Sequence, residues 1–149
     1  TRQHKDILDL SAKHLIKSAA PCKNAEDVEM AIRNYYAVTC ASSYFVGSAK
    51  LYDSEFGSIA IGKLDGRGGH QTSLQGFIKS KKHGKLFCYT NQWGLVYPKD
   101  STGILQTSCW ISEKTMNEIC SEDEVYAFSQ FDGFPAQDLS RHLFDIIGN

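Results

Sequence analysis

A histidine opens one apolar segment of the chain, and an Asn-x-Trp-Gly element closes the next. Between them lies a lysine-rich turn. The stretch runs from Gly66 to Ile111. Gly66-Arg67-Gly68-Gly69-His70 leads into Gln71 through Ile78, and Lys79 through Gly84 forms the turn. Lys85 through Gly94 then carries Asn91-Gln92-Trp93-Gly94, and a further segment runs from Gly103 to Ile111. Reversal of the chain near residue 82 makes a hairpin, so that His70 and Asn91 come side by side. This pairing suits the activation of a nucleophile. A histidine works as a general base only when one ring nitrogen faces the reacting group and the other is tethered. An asparagine carbonyl can tether it without adding charge, and Trp93 can roof that hydrogen bond and strengthen it by excluding water.

The rest of the chain bounds what can be built around this pair. Its 149 residues suffice for a single domain, residues 1–149, with a sizeable core. A hydrophobic fraction of 42% against 22% charged marks a globular chain. Sixteen basic and 17 acidic residues balance to a net charge of -1, which leaves no electrostatic footprint for nucleic acid or an anionic membrane. No apolar run reaches the roughly 20 residues of a membrane helix. The chain opens at Thr1 without a signal peptide, so a processed product that has lost a leader is expected to read this way. Secretion and intracellular residence both fit the composition. The five cysteines, Cys22, Cys40, Cys88, Cys109 and Cys120, are odd in number and contain no C-x-x-C, so neither full internal pairing nor a zinc site is expected. Cys88 and Cys109 fall in expected strands and read as buried free thiols. One or two disulfides in a secreted protein are the other reading.

Residues 5–19 have loosely helical apolar spacing, ended by Pro21. Asn24 has the character of an N-cap, with Glu26, Asp27 and Glu29 in the first turns and a stripe of Val28, Ala31, Ile32 and Tyr35, so a helix is expected over 24–34. Tyr36 to Ala41 reads as a strand. Ser42 to Phe56 is ambiguous: it either extends the helix or forms a loop bearing Tyr44, Phe45, Tyr52 and Phe56. A short strand over 58–64 and a flexible glycine-rich approach over 65–69 lead to His70. Residues 94–102 read as a loop, 104–111 as a strand, 112–119 as a short helix and 125–131 as a strand. A turn over 132–135 and an amphipathic helix over 138–147 close the chain. Helices at the ends and an antiparallel, barrel-like sheet in the middle make the fold class α+β.

These motifs resemble a known family. Asn91-Gln92-Trp93-Gly94 looks like the Asn-Ser-Trp-Gly signature of papain-like cysteine peptidases, and Gly69-His70 followed by Gly76-Phe77 is similar to that family's histidine strand. Residues 103–111 resemble its glycine-led strand, Glu26 to Asn34 its acidic helix, and Tyr36 to Ala41 its short strand. The resemblance covers roughly residues 15–131 and corresponds to the C-terminal, right-hand half of a papain-like fold. It implies a thiol protease, a hydrolase whose base is His70, whose orienter is Asn91 and whose shield is Trp93. It also makes Cys40, Ser42 and Gly69 candidates for the wall of the substrate site. Peptide or protein substrates follow, with no cofactor, no metal, no nucleic acid and no membrane. The family's nucleophile is the cysteine of a Gln-x-x-x-x-x-Cys-Trp element, and no such element precedes His70. Three readings result. The nucleophile lies on another segment or a second chain; the chain is a non-catalytic relative, a pseudoenzyme; or Cys22 or Cys40 serves in a rearranged site. Cys22 precedes a helix whose dipole would lower its pKa.

Two other classes compete. His70, His83 and Thr107 could form the acid–base set of a metal-independent ribonuclease. The cluster Lys79, Lys81, Lys82 and His83 would then touch phosphate, or otherwise be a solvated turn. An immunity-type binding module would present Tyr44, Phe45, Tyr52 and Tyr97 as exposed anchors.

Overall fold

The computed structural model describes residues 18–122 and 124–129. The element order is β1 (Ser18–Pro21), α1 (Ala25–Arg33), β2 (Ala37–Ser54), β3 (Gly57–Ser80), β4 (Gly84–Thr90), β5 (Ser108–Ser112), α2 (Glu113–Glu122) and β6 (Glu124–Ser129). The six strands form one curled sheet in the order β1-β6-β2-β3-β4-β5. Its neighbours are antiparallel, and a single parallel bridge, Ile61 to Trp110, folds β5 back onto β3. The architecture is therefore mixed α+β, a half-barrel sheet with two helices among the described residues.

The capping chemistry expected of Asn24 is present. Its side-chain oxygen accepts from the backbone N–H of Glu26 and Asp27, both at 2.9 Å, and satisfies donors that a helix start leaves open. The second helix starts with Ser112, whose hydroxyl accepts from the Thr115 N–H at 3.1 Å. Asn117 on α2 accepts from the Ala25 N–H at 2.8 Å, which locks the two helix ends together. Lys85 on β4 bridges Glu29 of α1 at 2.7 Å and Glu113 of α2 at 2.8 Å.

Several expectations are corrected. Residues 42–54 are neither helix nor loop but the continuation of β2, and 57–80 form one strand, so the expected short strand and flexible approach are parts of β3. Cross-strand pairing from Val38–Leu74 out to Ser54–Gly57 supplies the hydrogen bonds that local propensity does not. Ser18 and Ala19, at the end of the expected first helix, lie in β1 against β6. The rest of that helix, the 132–135 turn and the 138–147 helix lie outside the described residues. The strand expected over 104–111 starts only at Ser108, because the segment before it belongs to the long loop after β4.

Burial alternates in an instructive way. Leu86, Phe87, Cys88 and Tyr89 on β4 are all buried. Phe87 and Tyr89 join the main core with Val28, Ala31 and Ile111, whereas Leu86 and Cys88 join Ile59 and Trp110 in a second cluster. A strand covered on both faces reads as a continuous apolar run. The cover on the second face is the loop after β4. It is pinned by the buried Asp100, which accepts from the Ala60 N–H at 3.2 Å, the Trp110 indole N–H at 3.1 Å and the Thr102 N–H at 2.9 Å.

All five cysteines are buried and none is in a disulfide. Burial first, then the nearby Asp27, pushes the Cys22 thiol from its ordinary 9.0 up to about 12. Burial likewise moves Cys109 and Cys120 up to about 12. Folded thiols that keep their protons where unfolded ones lose them stabilise the fold below about pH 9, and that stability is lost as pH rises towards 12. The urea midpoint is therefore expected to fall steadily from pH 9 upward at unchanged m-value. A midpoint that stays flat to pH 11 would contradict the burial.

Candidate active site

His70 lies on β3 directly across from Ser42 on β2. Inward from it the same pairing runs through Cys40–Thr72 to Val38–Leu74, and those four side chains are buried. His70 is thus the half-buried position next to this buried run, before the pairing slips at Tyr44. Asn91 follows the final residue of β4, and its backbone N–H donates to the Thr107 carbonyl at 2.9 Å. The two side chains meet as the hairpin reading requires: His70 Nε2 and Asn91 Oδ1 are 2.9 Å apart.

The direction of this bond is set by its neighbours. Tyr97 donates its hydroxyl hydrogen to the Val46 carbonyl at 2.7 Å, so its oxygen is left to accept from Asn91 Nδ2 at 3.2 Å. The Gln92 N–H donates to Asn91 Oδ1 at 2.8 Å. Both contacts put the Asn91 oxygen, not its nitrogen, towards His70. The neutral imidazole must therefore carry its hydrogen on Nε2, and Nδ1 keeps a lone pair able to take a proton. Asn91 is only 3% exposed, and an unmade bond there would be costly.

Trp93 stacks on the imidazole with ring centroids 4.4 Å apart and planes at 24°. One indole face thus covers the histidine while about half of the ring remains exposed. Phe45 stands edge-on to both, 5.3 Å from His70 and 4.9 Å from Trp93. An open cleft of about 790 Å³ lies beside His70, lined by Ser42, Gly69, His70, Gln71, Ser121 and Glu124 among others.

Of the sequence candidates, His70, Asn91 and Trp93 come together, and Ser42 and Gly69 line the cleft beside them. Cys40 does not line it: its side chain is 1% exposed and pairs with the Thr72 hydroxyl at 2.8 Å. Cys22 is packed in the core, 3% exposed, and its thiol is pushed up rather than down, because desolvation outweighs the helix dipole expected to activate it. Neither thiol is placed as a nucleophile would be.

His83 is not brought to His70. It sits at the far turn of the β3–β4 hairpin, its Nε2 donating to the Asp53 carbonyl at 3.0 Å. Ten residues of β3 separate His70 from Ser80, on the order of 30 Å at strand rise. At that turn the Glu55 carboxylate accepts from Ser80 Oγ and the Lys81 N–H. Of the four aromatics read as surface anchors, Tyr44 and Tyr52 are exposed, Phe45 is half-buried against the site and Tyr97 is 2% exposed. Sequence reasoning thus missed the site roles of Phe45 and Tyr97. The one signal was glycine inside a strand at Gly66, a mark of close packing.

Among the described residues no group of three or more His, Cys, Asp or Glu side chains could hold a metal ion, and no helix is long and apolar enough to cross a membrane. No protein-family model, curated protein or solved structure matches the chain.

Two outcomes follow from this geometry. Tyr97→Phe strands the buried Asn91 Nδ2 hydrogen and is expected to cost about 1–3 kcal/mol of stability, read from urea unfolding. Ellman's reagent at pH 8 is expected to titrate five thiols in denaturant but to react with the native chain roughly a hundredfold or more slowly. One thiol reacting at the denatured rate in native protein would reinstate a cysteine of this chain as nucleophile.

Proposed function

We propose that the chain is the base-bearing half of a papain-like cysteine peptidase, with the sulfur supplied by a segment or partner outside its own five cysteines. The observation that carries this reading is the 2.9 Å His70–Asn91 contact beneath the Trp93 ring. In this reading Nδ1 of His70 takes the proton of an incoming thiol. Asn91 holds the ring in the required tautomer, and the resulting imidazolium keeps its Nε2–H bond to the asparagine oxygen. The proton is then returned to the leaving amine, and the same base activates the water that hydrolyses the acyl-enzyme. Ser42 and Gly69 border the cleft in which a peptide would lie.

Burial of all five thiols favours one second reading, a non-catalytic relative that keeps the dyad as scaffold. The ribonuclease alternative would need His70 and His83 to share one site, and they lie at opposite ends of the hairpin formed by β3 and β4.

The test is an epoxysuccinyl-peptide thiol probe together with fluorogenic peptide hydrolysis. It is run on the native protein isolated through this chain with whatever accompanies it. The probe is expected on a cysteine other than Cys22, Cys40, Cys88, Cys109 and Cys120. His70→Ala is expected to lower hydrolysis by about 10²–10⁴-fold, and Asn91→Ala by less. Hydrolysis indifferent to His70→Ala would overturn the assignment. Absence of both labelling and hydrolysis would leave the non-catalytic relative.

A further inference from the structure

We infer that Phe45 is a positioning residue for His70, and that Gly66 is glycine because Phe45 must lie across it. This deepens the reading of His70 as a base and rests on that reading only for its kinetic consequence.

The asparagine tether fixes one point of the imidazole, and stacking on Trp93 fixes its plane. Neither stops the ring from sliding over the indole face or swinging about its side-chain bonds. Phe45 supplies the missing stop. Its plane is at 70° to the imidazole and at 86° to the indole, with centroids 5.3 and 4.9 Å away. One ring perpendicular to two stacked rings contacts both, and these separations lie in the range where edge-to-face pairs attract. The three rings thus pack against one another, and His70 also lines the cleft.

The backbone is shaped to allow it. Phe45 pairs with Gly66, and a Cβ on Gly66 would lie 1.9 Å from Phe45 Cε2 and 2.2 Å from Cδ2. Any other residue at 66 would displace the phenyl ring, since the atoms it meets belong to a ring held on two sides. The pairing of β2 with β3 slips between Ser42 and Tyr44, where β3 takes three steps, His70 to Arg67, against two on β2. Gly68 in that extra step has φ +121, open only to glycine. A bulge bends its strand, and at this bend the Phe45 ring crosses β3 to reach a histidine four residues beyond its own partner. A bulge, a glycine with no room for a side chain and an aromatic ring thus converge on one imidazole.

The experiment is side-chain NMR of His70 in the wild type, Phe45→Leu, Gly66→Ala and Gly66→Ala combined with Phe45→Ala. The wild type is expected to show Phe45-to-His70 ring NOEs, an almost pure Nε2–H tautomer in the neutral ring and a slowly exchanging Nε2–H proton. Phe45→Leu is expected to raise the minor tautomer several-fold and to speed that exchange. Gly66→Ala, which alters no ring, is expected to reproduce both changes. In the Phe45→Ala background the alanine at 66 should add nothing beyond Phe45→Ala alone, because the space is then free. Absent ring NOEs in the wild type would overturn the proposal, and that measurement needs no variant to fold. Unchanged tautomer and exchange in folded Phe45→Leu would overturn it as well. Where peptide hydrolysis is measurable, Phe45→Leu is expected to lower kcat roughly 10- to 100-fold with KM within about twofold. The NMR arm stands without activity, so failure of the peptidase reading and failure of the clamp give different results.

Discussion

The site depends on one backbone carbonyl. Val46 accepts the Tyr97 hydroxyl hydrogen. That turns the Tyr97 oxygen into an acceptor for Asn91 Nδ2, and with the Gln92 N–H it leaves the Asn91 oxygen facing His70. Each bond in this relay fixes the sense of the next, so the histidine tautomer is determined by a β2 carbonyl two side chains away. Burial gives the relay its force. Tyr97 and Asn91 are nearly inaccessible, and unmaking any of these bonds inside the core costs more than a surface bond is worth. Desolvation also drives the Tyr97 hydroxyl far above its ordinary range, the Asn91 bond pulling only slightly the other way. It therefore stays a protonated donor to Val46.

The loop after β4 makes this possible. It carries Tyr97 inward and Trp93 outward, and it is held at both ends. The Asn91 and Tyr97 N–H groups bond to the Thr107 and Gln106 carbonyls, closing the loop's neck. Asp100 ties its far side to Ala60 on β3 and Trp110 on β5. A loop so anchored buries the second face of β4 and holds the shield over His70. Packing and positioning are therefore the same contacts: loosening the second cluster would also loosen the roof of the site.

The His70–Asn91 pair was legible because a hairpin turn places residues by counting, and the Lys79–Gly84 turn is short and strongly marked. The N-cap at Asn24 was legible for the same local reason. The length of β2 and β3 was not. Residues 42–56 and 65–69 lack a clean alternation because three slips in pairing fall between Ser42 and Ser48, and each slip resets which side chains face inward. That irregular stretch holds Phe45 and Gly66, so the part of the site hidden from sequence is the part built by the bulges. Tyr97 was hidden differently: a tyrosine in a loop with Pro98 reads as surface, and only the Asp100 anchor folds it under.

A histidine this fully constrained differs in kind from the thiols around it. Every cysteine sits where desolvation keeps it protonated or where a hydroxyl pairs it, while His70 lines an open cleft. A nucleophile arriving from another element would meet an imidazole whose tautomer and plane are already set. In the proposed reading, the entropy of ordering that base would be spent when the domain folds, not when a nucleophile-bearing piece docks. In the proposed peptidase, rigid support on one side of His70 and a cleft on the other would suit a site assembled from two pieces. The supporting contacts run from β2 through the loop to β4, and the cleft beside His70 is open.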